Sequence, residues 1–116
     1  MIKGCIFYEN AEGPLREGII GSNRPVVIVS HRMYGDVVQV VPLTTSVHKF
    51  DDKKNHVSVN VNGRDSVALC EQIRTVNMHE LSRAPKGICT ADELRAINVA
   101  LAEILFEGET YEEQEK

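Results

Sequence analysis

GSNRPVVIVSHRMYGDVVQVVPLTTS, residues 21–46, holds two runs of β-branched residues between polar ends, and its reading decides the fold. Residues 26–30 and 37–41 read as strands, because valine and isoleucine fit a pleated, packed surface. Met33, Tyr34, Gly35 and Asp36 fall between them as a turn. If the two strands pair antiparallel, Arg24 at the entry of the first and Thr44 at the exit of the second arrive at the same end of the sheet. A guanidinium and a hydroxyl then share one rim. Both runs are apolar on both faces, so each face is expected to be covered. A helix can cover one; the other calls for a strongly curved sheet closing on itself or for a second subunit.

Outward from this stretch, residues 2–8 read as a first strand that ends at Glu9, Asn10, Ala11 and Glu12. The connection 9–23 carries Gly13, Pro14, Gly18 and Gly21, which suits a surface excursion and a binding loop equally. Residues 48–56, HKFDDKKNH, read as an exposed loop. Residues 57–61 alternate cleanly and residues 66–70 follow as a partner strand. Asn62 and Gly63 between them are the strongest hairpin signal in the chain. Residues 73–76 prolong the sheet, and residues 77–83 are expected to form a short helix. Thr90 and Glu93 then make a capping box, and Leu94, Ile97, Leu101, Ile104 and Leu105 fall on one helical stripe that Gly108 stops. This predicts an α+β domain over residues 1–107, mainly β, with a disordered acidic tail over 108–116.

At 116 residues the chain suits a single core. No apolar run approaches the roughly 20 residues needed to span a bilayer, and the amino terminus does not read as a signal peptide. A soluble, cytoplasmic protein is expected. Three cysteines, Cys5, Cys70 and Cys89, are an odd count without ligand spacing, so buried free thiols are expected, with no disulfide, zinc or cofactor. The net charge of −4 argues at first against a nucleic-acid partner. It is located, however, in the last ten residues, where five glutamates face Lys116, leaving twelve acids and twelve bases before them. A neutral body can focus Arg24, Arg32, Lys53, Lys54, Arg64 and Arg74 onto one face.

A Gly-x-x-Arg-Pro-Val entry, an apolar strand pair, a Pro-Leu-Thr-Thr-Ser exit and the later LCEQIRTV, residues 69–76, stand in that order in a short chain. Together they resemble the MazF/PemK toxins, small ribonucleases of bacterial toxin-antitoxin systems, from KGCIFYE near the start to the helix near Leu105. The resemblance implies an SH3-like curved antiparallel sheet or barrel with a carboxy-terminal helix, a homodimer, and a cognate MazE-like antitoxin that covers the site with an extended acidic segment. It also implies metal-independent, sequence-selective cleavage of single-stranded RNA or mRNA to a 2′,3′-cyclic phosphate and a 5′-hydroxyl. One departure is local: where many members carry an acid and a glutamine before the arginine, this chain has Ile19, Ile20, Gly21 and Ser22.

Carried across on matching positions, the family's functional residues are Arg24 on the scissile phosphate, Thr44 as donor to a phosphoryl oxygen, and Glu71 as base. Asn23, Thr45, Ser46, Gln72 and Arg74 then contact neighbouring nucleotides. Each has a plainer reading. Arg24 suits a surface salt bridge, Thr44 and Thr45 satisfy a strand end, and Glu71, Gln72 and Arg74 make a structural polar network. The four histidines form no catalytic pattern; His31 and His48 are nearest the rim. Two other functions remain open: a CcdB-like toxin that binds gyrase without catalysis, and a non-catalytic SH3-like interaction module.

Overall fold

A computed structural model describes residues 3–10, 24–47 and 55–106. The expectations placed on the loop after Asn10, on Asn23, on the charged loop 48–54 with its His48, and on the acidic tail lie outside them. Seven strands form the sheet: β1 (Cys5–Glu9), β2 (Arg24–Ile28), β3 (Val37–Thr44), β4 (His56–Val61), β5 (Arg64–Leu69), β6 (Arg74–Asn77) and β7 (Gly87–Ile88). All pairings are antiparallel, in the order β4-β5-β3-β2-β1-β7, with β6 also on β3. One helix, α1 (Ala91–Leu105), closes the fold. This is the expected mainly-β α+β architecture, a sheet curved towards a barrel.

The hub is β3. One of its edges pairs with β2, Val26 opposite Pro42 and Ile28 opposite Val40. Its other edge pairs first with β6, Val40 opposite Arg74, and then with β5, Leu43 opposite Ala68. Three steps along β3 are thus matched by six along the partner chain. The surplus is taken up by a 3-10 turn, Cys70–Gln72, which acts as an enlarged bulge and bends the sheet. This slip also explains how β3 runs through Pro42 instead of ending at Val41 as expected. Val29 N–H donates to Gln39 O (3.0 Å), so by alternation the missing N–H of Pro42 would point away from β2, into the interrupted ladder.

Both faces of the central strands are buried, which is why their sequence is apolar without alternation. Towards α1 lie Ile6, Val27, Val29, Val41 and Leu43, packed against Ile97, Ala100 and Leu101. On the opposite face Phe7, Val26, Ile28, Val38 and Val40 pack with Val76 and Leu81. That second cluster is buried within the single chain, so the sheet's own continuation covers it. The hairpin β4–β5 turns at Asn62 and Gly63 with φ of 52° and 86°, as the dipeptide demands. Its tip reaches β7: Asn62 Nδ2 donates to Lys86 O (2.6 Å).

The helix begins with the expected capping box, Glu93 N–H donating to Thr90 Oγ1 (3.1 Å) and Thr90 N–H to Glu93 Oε1 (2.8 Å). Leu105 departs from the expected stripe and is 53% exposed. Each four-residue step advances about 40° around the helix, so after Ile97 and Leu101 it has drifted off the seam. The expected helix over 77–83 is only a 3-10 turn, Met78–Glu80. The chain must extend again at once, because Leu81 bridges to Glu9. Among the described residues no helix is long and apolar enough to cross a membrane.

Candidate active site

The rim follows from register. Carrying the β2–β3 pairing two residues beyond Val26 and Pro42 sets Arg24 opposite Thr44. On one side Arg24 faces Glu9 of β1; on the other Thr44 faces Val67 of β5, which faces Ser58 of β4. One row therefore crosses five strands at one end of the sheet. By strand alternation Arg24 lies on the face of Val26 and Ile28, and Thr44 on that of Val38 and Val40, the face turned away from α1.

Arg24 is half-buried, and its pKa is lowered, first by loss of solvent and then by the positive charge of Arg74, while Tyr8 and Glu9 act in the opposite sense. Glu9, 3% exposed, is paired with Arg74. Two guanidiniums and one carboxylate leave this corner one positive charge in surplus, at partial cost in solvation. An anion arriving there relieves both penalties. Thr44 is buried, and its Oγ1 accepts from Ser46 N–H (3.2 Å), an arrangement that fixes the hydroxyl and leaves its proton to donate. A cavity of about 360 Å³ opens here, lined by Arg24, Thr44 and Thr45 with Tyr8, Arg64 and Ser66.

The other expected site residues stand apart from that cavity's lining. Glu71 and Gln72 sit in the 3-10 turn, where the register slip carries them off the ladder. The Glu71 carboxylate is bonded to His56 Nε2 at 2.9 and 3.1 Å, the imidazole being 5% exposed and the carboxylate 45%. Arg74 is held by Glu9. Ser46 is exposed and contributes its N–H to Thr44. Of the six basic residues expected to share a face, Arg24 and Arg64 line one cavity, whereas Arg32 and His31 are exposed in the β2–β3 turn and Lys53 and Lys54 lie outside the described residues.

Sequence reasoning passed over Glu9, Tyr8, Arg64, Ser66 and His56. For His56 a signal existed: counting back from the Asn62-Gly63 turn pairs it with Leu69, two residues from Glu71. For Glu9 none did, since its partner is 65 residues away. The three thiols are free; Cys70 and Cys89 are buried, and burial pushes them up to about 12 and about 11, whereas Cys5 is only half-buried. Among the described residues no cluster of His, Cys, Asp or Glu could hold a metal ion.

The fold has close counterparts. A MazF from Deinococcus radiodurans superimposes with a TM-score of 0.76 at 19% identity, over 92% of this chain and 97% of that one. An endoribonuclease from a mycobacterial species, solved with its cognate antitoxin, gives 0.67 at 21% identity over 95% and 97%. The Mycobacterium tuberculosis toxin MazF-mt6 gives 0.66 at 22% identity over 90% and 99%. No curated protein sequence matches the chain. The model of the PemK-like, MazF-like toxins of type II toxin-antitoxin systems matches residues 3–105. With that match spanning nearly the whole chain, and with the half-barrel and terminal helix of the solved MazF proteins beneath it, this chain belongs to the MazF/PemK toxin family.

Proposed function

We propose that this toxin is an endoribonuclease that cleaves single-stranded RNA at selected sequences without a metal ion. The observation that carries the reading is Arg24 set opposite Thr44 on a cavity with surplus positive charge. In the proposed reaction the 2′-oxygen attacks the adjacent phosphorus, its proton passes to a base, and the P–O5′ bond breaks as an acid protonates the leaving oxygen. The products are a 2′,3′-cyclic phosphate and a 5′-hydroxyl. Arg24 holds the phosphoryl oxygens bidentately, and Thr44 donates to the charge that develops on them. The lowered pKa of Arg24 moves it in the direction that favours protonating the leaving oxygen.

Glu71 acts as base together with His56, whose imidazole shares its carboxylate. Thr45, Ser46, Gln72 and Asn23 contact flanking nucleotides; Arg74, held on Glu9, sets the charge of the corner in which Arg24 sits. The active form is a cytoplasmic homodimer. Its inhibitor is a MazE-like antitoxin, a proposal supported by the mycobacterial and Deinococcus relatives solved with antitoxins. The test is incubation of the purified protein with a long RNA in EDTA, followed by mapping of the ends. Discrete cuts with cyclic phosphate and 5′-hydroxyl ends are expected. Activity lost in EDTA and restored by magnesium overturns the mechanism, and intact RNA alongside inhibited gyrase favours the CcdB-like reading.

A further inference from the structure

Two clefts of the surface meet at one aromatic ring. The first holds Arg24 and Thr44; the second, of about 540 Å³, lies along the edge of β1 remote from β2 and is lined by Tyr8, His79, Arg83 and Lys86 among others. Tyr8 lines both and is 38% exposed. Its backbone is clamped, N–H donating to Ser82 Oγ (3.1 Å) and C=O accepting from Ser82 N–H (2.9 Å). Further on, Lys86 N–H donates to Ile6 O (2.6 Å), and Lys86 O accepts from Asn62 (2.6 Å). The exposed stretch from Arg83 to Lys86 is therefore tied at both ends, with Ser82 Oγ donating to Ala84 O (3.0 Å) inside it. The carboxylate in this cleft, Glu80, is turned to Asn77 N–H (3.1 Å).

We propose that the second cleft is a nucleotide subsite, in which a base stacks on Tyr8 and the phosphate beside it is held by Arg83 and Lys86. The inference rests on the reading of Arg24 and Thr44 as an RNA site, and extends that site past Tyr8 along one strand. A planar ring exposed to two clefts at once suits an unstacked base between two sugar-phosphate segments; an acidic peptide would need the cations but not the ring. The nucleotide held here flanks the cut, so the subsite contributes to strand preference and affinity and takes no part in proton transfer.

The test compares the wild type with Tyr8→Leu, Tyr8→Phe and the double variant Arg83→Ala, Lys86→Ala. The readouts are cleavage of a twelve-nucleotide RNA and of a trinucleotide spanning the cut, and binding of an uncleavable 2′-O-methyl twelve-mer. Tyr8→Leu and the double variant are expected to raise KM for the long strand at least tenfold, collapsing the preference for it over the trinucleotide, while Tyr8→Phe retains that preference. The double variant should also lower the slope of log Kd against log salt by about 0.7 for each phosphate that is no longer neutralised. An unchanged preference and salt slope overturn the proposal. So does weakened binding of an acidic antitoxin peptide with RNA binding intact, which assigns the cleft to the peptide. If the wild type cuts neither RNA, the ribonuclease reading fails, and the twelve-mer's affinity still decides whether this cleft binds nucleotides.

Discussion

Arg24 was legible because its setting is local: a turn of known length between two strands fixes the register, and the register fixes what faces it across the rim. With charge developing on the phosphoryl oxygens, Arg24→Ala and Thr44→Ala are each expected to lower kcat by roughly a hundredfold or more with little change in melting temperature. Arg24→Lys should recover little, since an ammonium cannot hold two oxygens in a plane. Wild-type activity in folded Arg24→Ala would reduce the residue to a structural role. Glu9 shows what sequence withholds. Nothing in a polar strand end says that its carboxylate will be buried against Arg74, because that pairing depends on β6 crossing to β3. Glu9→Gln removes the negative charge between two guanidiniums, so it should strengthen anion binding at the rim while lowering stability. A binding titration with a 2′-O-methyl oligonucleotide and a urea melt on the same protein check both signs.

At the scale of elements, the pieces legible in sequence are those whose physics is short-range. The Asn62-Gly63 hairpin and the Thr90–Glu93 cap need only neighbours a few residues away, and both are in place. The 3-10 turn at Cys70–Gln72 and strand β7 are answers to distant partners, a register slip on β3 and the free edge of β1, so no local pattern announces them. Glu93 belongs to both kinds. Besides capping α1, its Oε2 accepts from Asn60 N–H (2.7 Å) and so ties the helix start to β4. Thr90→Ala is expected to cost about 1 kcal/mol, the usual loss of an N-cap. Glu93→Ala should cost more, because a strand amide loses its acceptor as well. Equal losses in urea unfolding would mean that the Asn60 bond contributes nothing.

For the whole molecule, the neutral body and acidic end were readable from charge counts, and the two buried faces from apolar runs without alternation. How the sheet covers its second face was not, since that needs the bend at the register slip. The same packing sets a pH limit on stability. Cys70 is fully buried beneath α1, and burial, with Glu71 adding to it, raises its pKa from the ordinary 9.0 to about 12. Between those values the unfolded chain has lost the thiol proton while the folded chain keeps it, so stability falls as pH rises, by up to about 1.4 kcal/mol per pH unit. Below pH 9 the contribution is fully present. Cys89, raised to about 11, adds a shallower decline over part of the same window. Tyrosine and lysine titrations share this range, so the measurement is a difference: urea unfolding of the wild type and of Cys70→Ala at pH 8 and pH 10. The variant starts lower because of the cavity it leaves, yet loses less between the two pH values. Parallel losses in the two proteins would show that the Cys70 thiol is not the group whose proton the fold protects.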